Sequence, residues 1–105
     1  MSTEGTPVKP AILVTIIGEA VLKDRIVKLL KSKGVTGYTV NPVQGEGGHG
    51  RRMGDMRDII GYDTNIEIKT VVSLEASDDI LCALVEIREG HALIAYRHSV
   101  EALIK

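Results

Sequence analysis

Gly45-Glu46-Gly47-Gly48-His49-Gly50-Arg51-Arg52-Met53-Gly54-Asp55-Met56-Arg57-Asp58 fits neither the two-residue period of a strand nor the 3.6-residue period of a helix. It holds five of the chain's eleven glycines and reads as the middle of one long loop. What flanks it decides the fold. Before it, Val35 to Asn41 (VTGYTVN) has strand composition, and Pro42 closes that run. After it, Asn65 to Ser73 (NIEIKTVVS) alternates, with Ile66, Ile68 and Thr70 on one face and Glu67 and Lys69 on the other. The loop therefore joins two strands.

Outward from that hairpin, Glu19 to Lys33 reads as a helix. Leu22, Ile26, Leu29 and Leu30 share one face, and Gly34 stops it. Ala11 to Ile17 (AILVTII) is a β-branched run expected of a buried central strand. Thr15 interrupts the run, either as a satisfied core hydroxyl or as a ligand contact. Residues 1–10 are polar, carry two prolines and read as a loose tail ahead of a single domain, 11–105. On the other side, Ser77 is the expected N-cap of a helix that reaches Arg88, buries Leu81, Leu84 and Val85, and stops at Gly90. Ala92 to Tyr96 is a short strand, and Val100 to Ile104 a further strand or a last helical turn. The order is β-α-β-β-α-β, an α+β chain of ferredoxin-like type. Its strands are apolar on both sides, which predicts that the sheet face without helices is covered by self-association.

At 105 residues and net charge −1, the chain lacks the broad basic face of a dedicated nucleic-acid binder. With no Phe or Trp and only Tyr38, Tyr62 and Tyr96, it also lacks stacking platforms for single strands. Cys82 is alone, so no intrachain disulfide is possible, and its expected place is a buried helical position. The apolar run at 11–17 is too short to span a bilayer, and the first residues carry no signal-peptide pattern. These features predict a cytoplasmic protein.

Most chemical motifs fail on context. Gly45 to Gly50 spells G-x-G-x-x-G with Glu67 further on, but no helix starts at Gly50 to receive a pyrophosphate. No G-K-[ST] occurs. His49, His91 and His98 are scattered, so no metal site is expected, and no nucleophile-and-base constellation is recognised around Ser73, Ser77, Ser99 or Cys82. Arg51, Arg52 and Arg57 among glycines could instead cradle an anion, since arginine forks and backbone N–H groups both suit phosphate. A solvated hairpin fits the same composition equally well. Arg88-Glu89-Gly90-His91 is a second glycine turn, with a plain helix cap as its alternative. The two loops, at opposite ends of a compact fold or of an oligomer, could form a cleft for a phosphorylated ligand.

Gly37-Tyr38-Thr39-Val40, followed by Gly48-His49-Gly50-Arg51-Arg52-Met53-Gly54, resembles the PII signal-transduction superfamily. There a G-[MY]-T-V strand leads into a G-x-G-R-x-x-G segment at the base of a long T-loop. Asn65 to Val72 is similar to that family's third strand, and Gly90-His91 to the glycine-lysine step of its B-loop.

The resemblance implies a homotrimer with adenine nucleotides in the clefts between subunits and a T-loop at about 42–63. By matching position it places Thr39 and Val40 near the adenine. Gly48, His49, Gly50, Arg51 and Arg52 fall at the phosphates, Gly90 and His91 in the B-loop, and Lys105 at a C-terminal basic position. Arg57 and Tyr62 fall on the T-loop tip, where a protein partner or a small anion would meet them. The modifiable tyrosine segment of the nitrogen sensors is unmatched, Tyr62 is shifted, and His91 replaces the usual lysine. These departures are similar to the PII-like branch tied to inorganic carbon. They imply ADP, AMP or ATP and bicarbonate as ligands, and a bicarbonate transporter or a carboxysome component as partner. The chain lacks the C-terminal cysteine pair of some transporter regulators, which favours the carboxysome-associated type. The implied role is signalling, not catalysis. The alternative is a nucleotide-hydrolysing or metal-binding trimer of the same fold.

Overall fold

A computed structural model of the chain describes residues 7–44 and 65–104. Four strands and two helices follow the expected order: β1 (Val8–Glu19), α1 (Lys23–Ser32), β2 (Thr39–Val43), β3 (Asn65–Val72), α2 (Leu74–Arg88) and β4 (Leu93–Leu103). The strands form one sheet in the order β2-β3-β1-β4, antiparallel throughout. Alternation along β1 and β3 sends Val14, Ile16, Ile66 and Ile68 to one face, where Leu22, Ile26, Leu30, Ile80, Leu84 and Ile87 close over them. That layer is the core.

The boundaries differ from expectation in ways that have local causes. β1 begins at Val8, inside the stretch read as a tail, and includes Pro10. At Pro10 β1 is paired only to β4, because β3 does not extend past Ile12 of β1, so one edge is free for a residue without N–H. Pro42, read as ending β2, lies within it for the same reason, since β2 is an edge strand. The first helix starts later than Glu19. Glu19 closes β1, a 3₁₀ turn spans Ala20–Leu22, and α1 follows.

α1 ends in a Schellman motif. Gly34 sits at φ +86°, its N–H meets Lys31 O, and the Val35 N–H meets Leu30 O, both at 3.0 Å. Val35 is thereby used in the cap, and β2 starts at Thr39 instead.

The N-cap of α2 is Ser73, whose Oγ accepts from the Ala76 N–H at 3.1 Å, and not Ser77. Ser77 is instead buried in the first turn. Its hydroxyl donates to Leu74 O and accepts from Arg97 Nη1, both at 2.8 Å. The earlier start puts Ser77, Ile80, Leu84 and Ile87 on the buried face, so Val85 is exposed and Leu81 only half-buried. Cys82, expected inside, is exposed. The segments read as 92–96 and 100–104 fall almost wholly in one continuous strand, β4, which also takes in 97–99.

The face of the sheet away from the helices carries Leu13, Ile17 and Thr15 of β1, Val71 of β3, and Ile94, Tyr96, His98 and Val100 of β4. Tyr96 and His98 meet edge to face, 5.7 Å between ring centres. Val71, Ile94 and Tyr96 are each more than two-fifths exposed. Thr15 lies on this face between Lys69 and Tyr96 and is fully buried.

Candidate ligand site at one end of the sheet

Glu19 is the last residue of β1 and is 4% exposed. Its Oε2 accepts the Ala92 N–H at 2.7 Å, and its Oε1 lies 3.1 Å from His91 Nδ1. Its own N–H donates to Ala92 O at 3.3 Å. One residue therefore holds the 90–92 turn by backbone and side chain together.

The turn itself depends on two glycines. Gly90 has φ +76°, a left-handed conformation, and the next residue's N–H returns to Arg88 O at 2.9 Å. Gly18 lets the turn lie close, since a Cβ there would stand 3.2 Å from Ala92 O. A helix cap and a clamp onto β1 thus occur together at Gly90–His91.

In the sheet register Glu19 stands opposite Asn65, and Asn65 opposite Val43. Val43 ends β2 and Asn65 begins β3, so the 45–64 segment leaves and re-enters the sheet beside Glu19. The roots of that segment and the Gly90–His91 turn therefore share one end of the sheet. This corrects the expectation of opposite ends of the fold: β3 runs antiparallel to β1, which brings its first residue to the last residue of β1.

Thr39 stands opposite Lys69 on the open face, while Val40 turns to the other face and packs on the core. Their side chains diverge, so the two cannot present one surface. Gly48, His49, Gly50, Arg51, Arg52, Arg57, Tyr62 and Lys105 lie outside the described residues. Glu19 escaped the sequence reading, because an acidic residue before a helical pattern looks like a first-turn residue. Its only signal is its place two residues after the apolar run. Among the described residues no three His, Cys, Asp or Glu side chains gather as a metal site. Among them, too, no helix is long and apolar enough to cross a membrane.

Residues 11–100 match the family model described as nitrogen regulatory protein P-II. The chain belongs to the P-II family.

Solved structures agree. A PII-like signalling protein of Thermus thermophilus is 36% identical, with 91% of this chain and 92% of that one covered and a TM-score of 0.74. The PII-like protein CPII of Thiomonas intermedia, bound to ADP, AMP and bicarbonate, is 26% identical over 90% of this chain and 97% of that one, with a TM-score of 0.74. The same protein bound to ADP and bicarbonate gives 28% identity, 92% coverage of both chains and a TM-score of 0.75. No curated protein matches. P-II membership accounts for the α+β order and for the antiparallel sheet with two helices on one face, and it makes this a PII-like signalling protein.

Proposed function

We propose that this P-II family member is a homotrimeric sensor that binds ADP, AMP or ATP, together with bicarbonate, in the clefts between subunits. Gly48, His49, Gly50, Arg51 and Arg52 hold the phosphates with Gly90 and His91, the Thr39 side chain and the Val40 backbone lie toward the adenine, and Lys105 adds a cation. The ligand favours one arrangement of the 42–63 segment because it contacts that arrangement better, and a partner reads the result through Arg57 and Tyr62. The partner belongs to inorganic-carbon handling, either a bicarbonate transporter or a carboxysome component.

The carrying observation is the meeting of the Gly90–His91 turn with the roots of the 45–64 segment beside Glu19. In this reading the glycine-rich segment supplies backbone N–H groups for an anion at the end of the sheet that the Gly90–His91 turn also occupies. The likeness to a protein bound to ADP, AMP and bicarbonate supports the choice of ligands. The apolar open face of the sheet supports self-association.

Titration calorimetry of the purified protein with ADP, AMP and ATP, each with and without bicarbonate, tests the reading. Saturable binding with one site per subunit is expected, tightened by bicarbonate. Absence of heat with all three nucleotides would reject it.

A further inference from the structure

A groove of about 310 Å³ runs between the second half of α2 and the start of β4. Leu81, Val85 and Arg88 line it from the helix, and Leu93, Ile94 and Ala95 from the strand. Val85 is 57% exposed there. Ile94 also belongs to the open face of the sheet, opposite Ile17. The apolar surface of that face therefore continues round the edge of β4 and into the groove. β4 bonds only to β1, so among the described residues no strand pairs with this edge.

The opposite border of the sheet is β2, where Pro42 is exposed. Pro42 stands opposite Ile66 of the core layer, so its ring lies on the helix side, as the groove does. The strand register carries one row across the sheet, from Pro42 through Ile66 and Gly18 to Leu93. An exposed apolar ring on one border thus sits level with an apolar groove on the other. Proline has no N–H, so this part of β2 is poorly suited to extending a ladder, and side chains must make the contact.

A ring of three copies has only heterologous contacts, in which two different surfaces meet. With the open faces turned to the axis, the β4 border of each sheet comes beside the β2 border of the next. Rotation about an axis along the strands keeps the rows level, apart from the stagger that strand tilt adds.

We propose that the groove between α2 and β4 is a subunit contact, filled by the Pro42 border of β2 from a second copy. This rests on the trimer reading above and adds which surfaces meet in it. Val85 and Ile94 lose their exposure to water in that contact, while Arg88 stays at the rim.

Sedimentation velocity and cysteine cross-linking on the full chain test it. The wild type is expected to be trimeric. Val85→Glu sets a charge in the groove and outside the open face. It should shift the protein to smaller species with its far-ultraviolet circular dichroism unchanged. For cross-linking, Cys82→Ser removes the native thiol. In that background Val85→Cys together with Pro42→Cys should give covalent dimers and trimers with a short bismaleimide, and each cysteine alone should give neither. Should Val85→Glu fail to fold, the cross-linking decides alone. A trimeric Val85→Glu protein, cross-links from Val85→Cys alone, or none from the pair would overturn the assignment of the groove. A wild type that is not trimeric would overturn the assembly reading instead.

Discussion

The Thr70 hydroxyl donates to the carbonyl oxygen of Gly37 at 2.7 Å, across 33 positions of sequence. Thr70 is 3% exposed, on the core face of β3, and Gly37 lies in the link that leads from α1 to β2. The bond fixes where that link ends and the edge strand begins. Thr70→Val keeps the volume and removes the donor, leaving the Gly37 carbonyl short of a partner. A loss of about 1–3 kcal/mol is expected in urea unfolding, with the denaturant slope unchanged.

Gly90 occupies left-handed backbone at the end of α2. An alanine there costs about 1–2 kcal/mol from the backbone alone. Open space surrounds the position, so no steric clash adds to that cost. The Gly90→Ala protein should fold with a lowered Tm and bind nucleotide more weakly, because relief of the strain displaces His91. Thermal unfolding and calorimetry on one sample separate the two effects.

Arg51 and Arg52 stand at the positions proposed to grip phosphates. Replacing each by alanine should weaken ADP binding by about 1.5–3 kcal/mol, the range for hydrogen bonds to charged groups. Stability should barely change. Unaltered affinity in both variants would remove the pair from the site.

Ile94 is 44% exposed and lies opposite Ile17 on the uncovered sheet face. A lysine at Ile94 places a charge where a second copy would pack, at little cost to the fold of one subunit. Sedimentation at micromolar concentration should give a trimer for the wild type and smaller species for Ile94→Lys. A monomeric wild type would contradict the proposed assembly.

The element order was legible because each core strand writes its own pattern. The run from Ala11 to Ile17 and the alternation of Ile66, Ile68 and Thr70 needed no tertiary information. The edges of elements were less so. Pro10 and Pro42 look like breakers until one knows which strand edges are free. Ser73 and Ser77 are both plausible caps, and they are told apart by contacts of the folded chain, Ser73 Oγ with the Ala76 N–H and Ser77 Oγ with Arg97. Of the candidate site, His91 and Gly90 could be named from sequence, whereas Glu19 could not. Its hold on the turn is a contact with residues more than seventy positions away, and no local pattern encodes that.

The pairing of β1 with β4 runs from Val8 opposite Leu103 to Gly18 opposite Leu93. During synthesis the first strand therefore waits for the last. Until β4 leaves the ribosome, the apolar run Ile12–Ile17 has an open backbone edge, a template for unwanted pairing with a neighbouring nascent chain. Closure waits for β4 and joins residues far apart in the chain, from Gly18 with Leu93 to Val8 with Leu103, a topology that folds slowly. A nascent chain stalled before residue 93 would present that edge to chaperones.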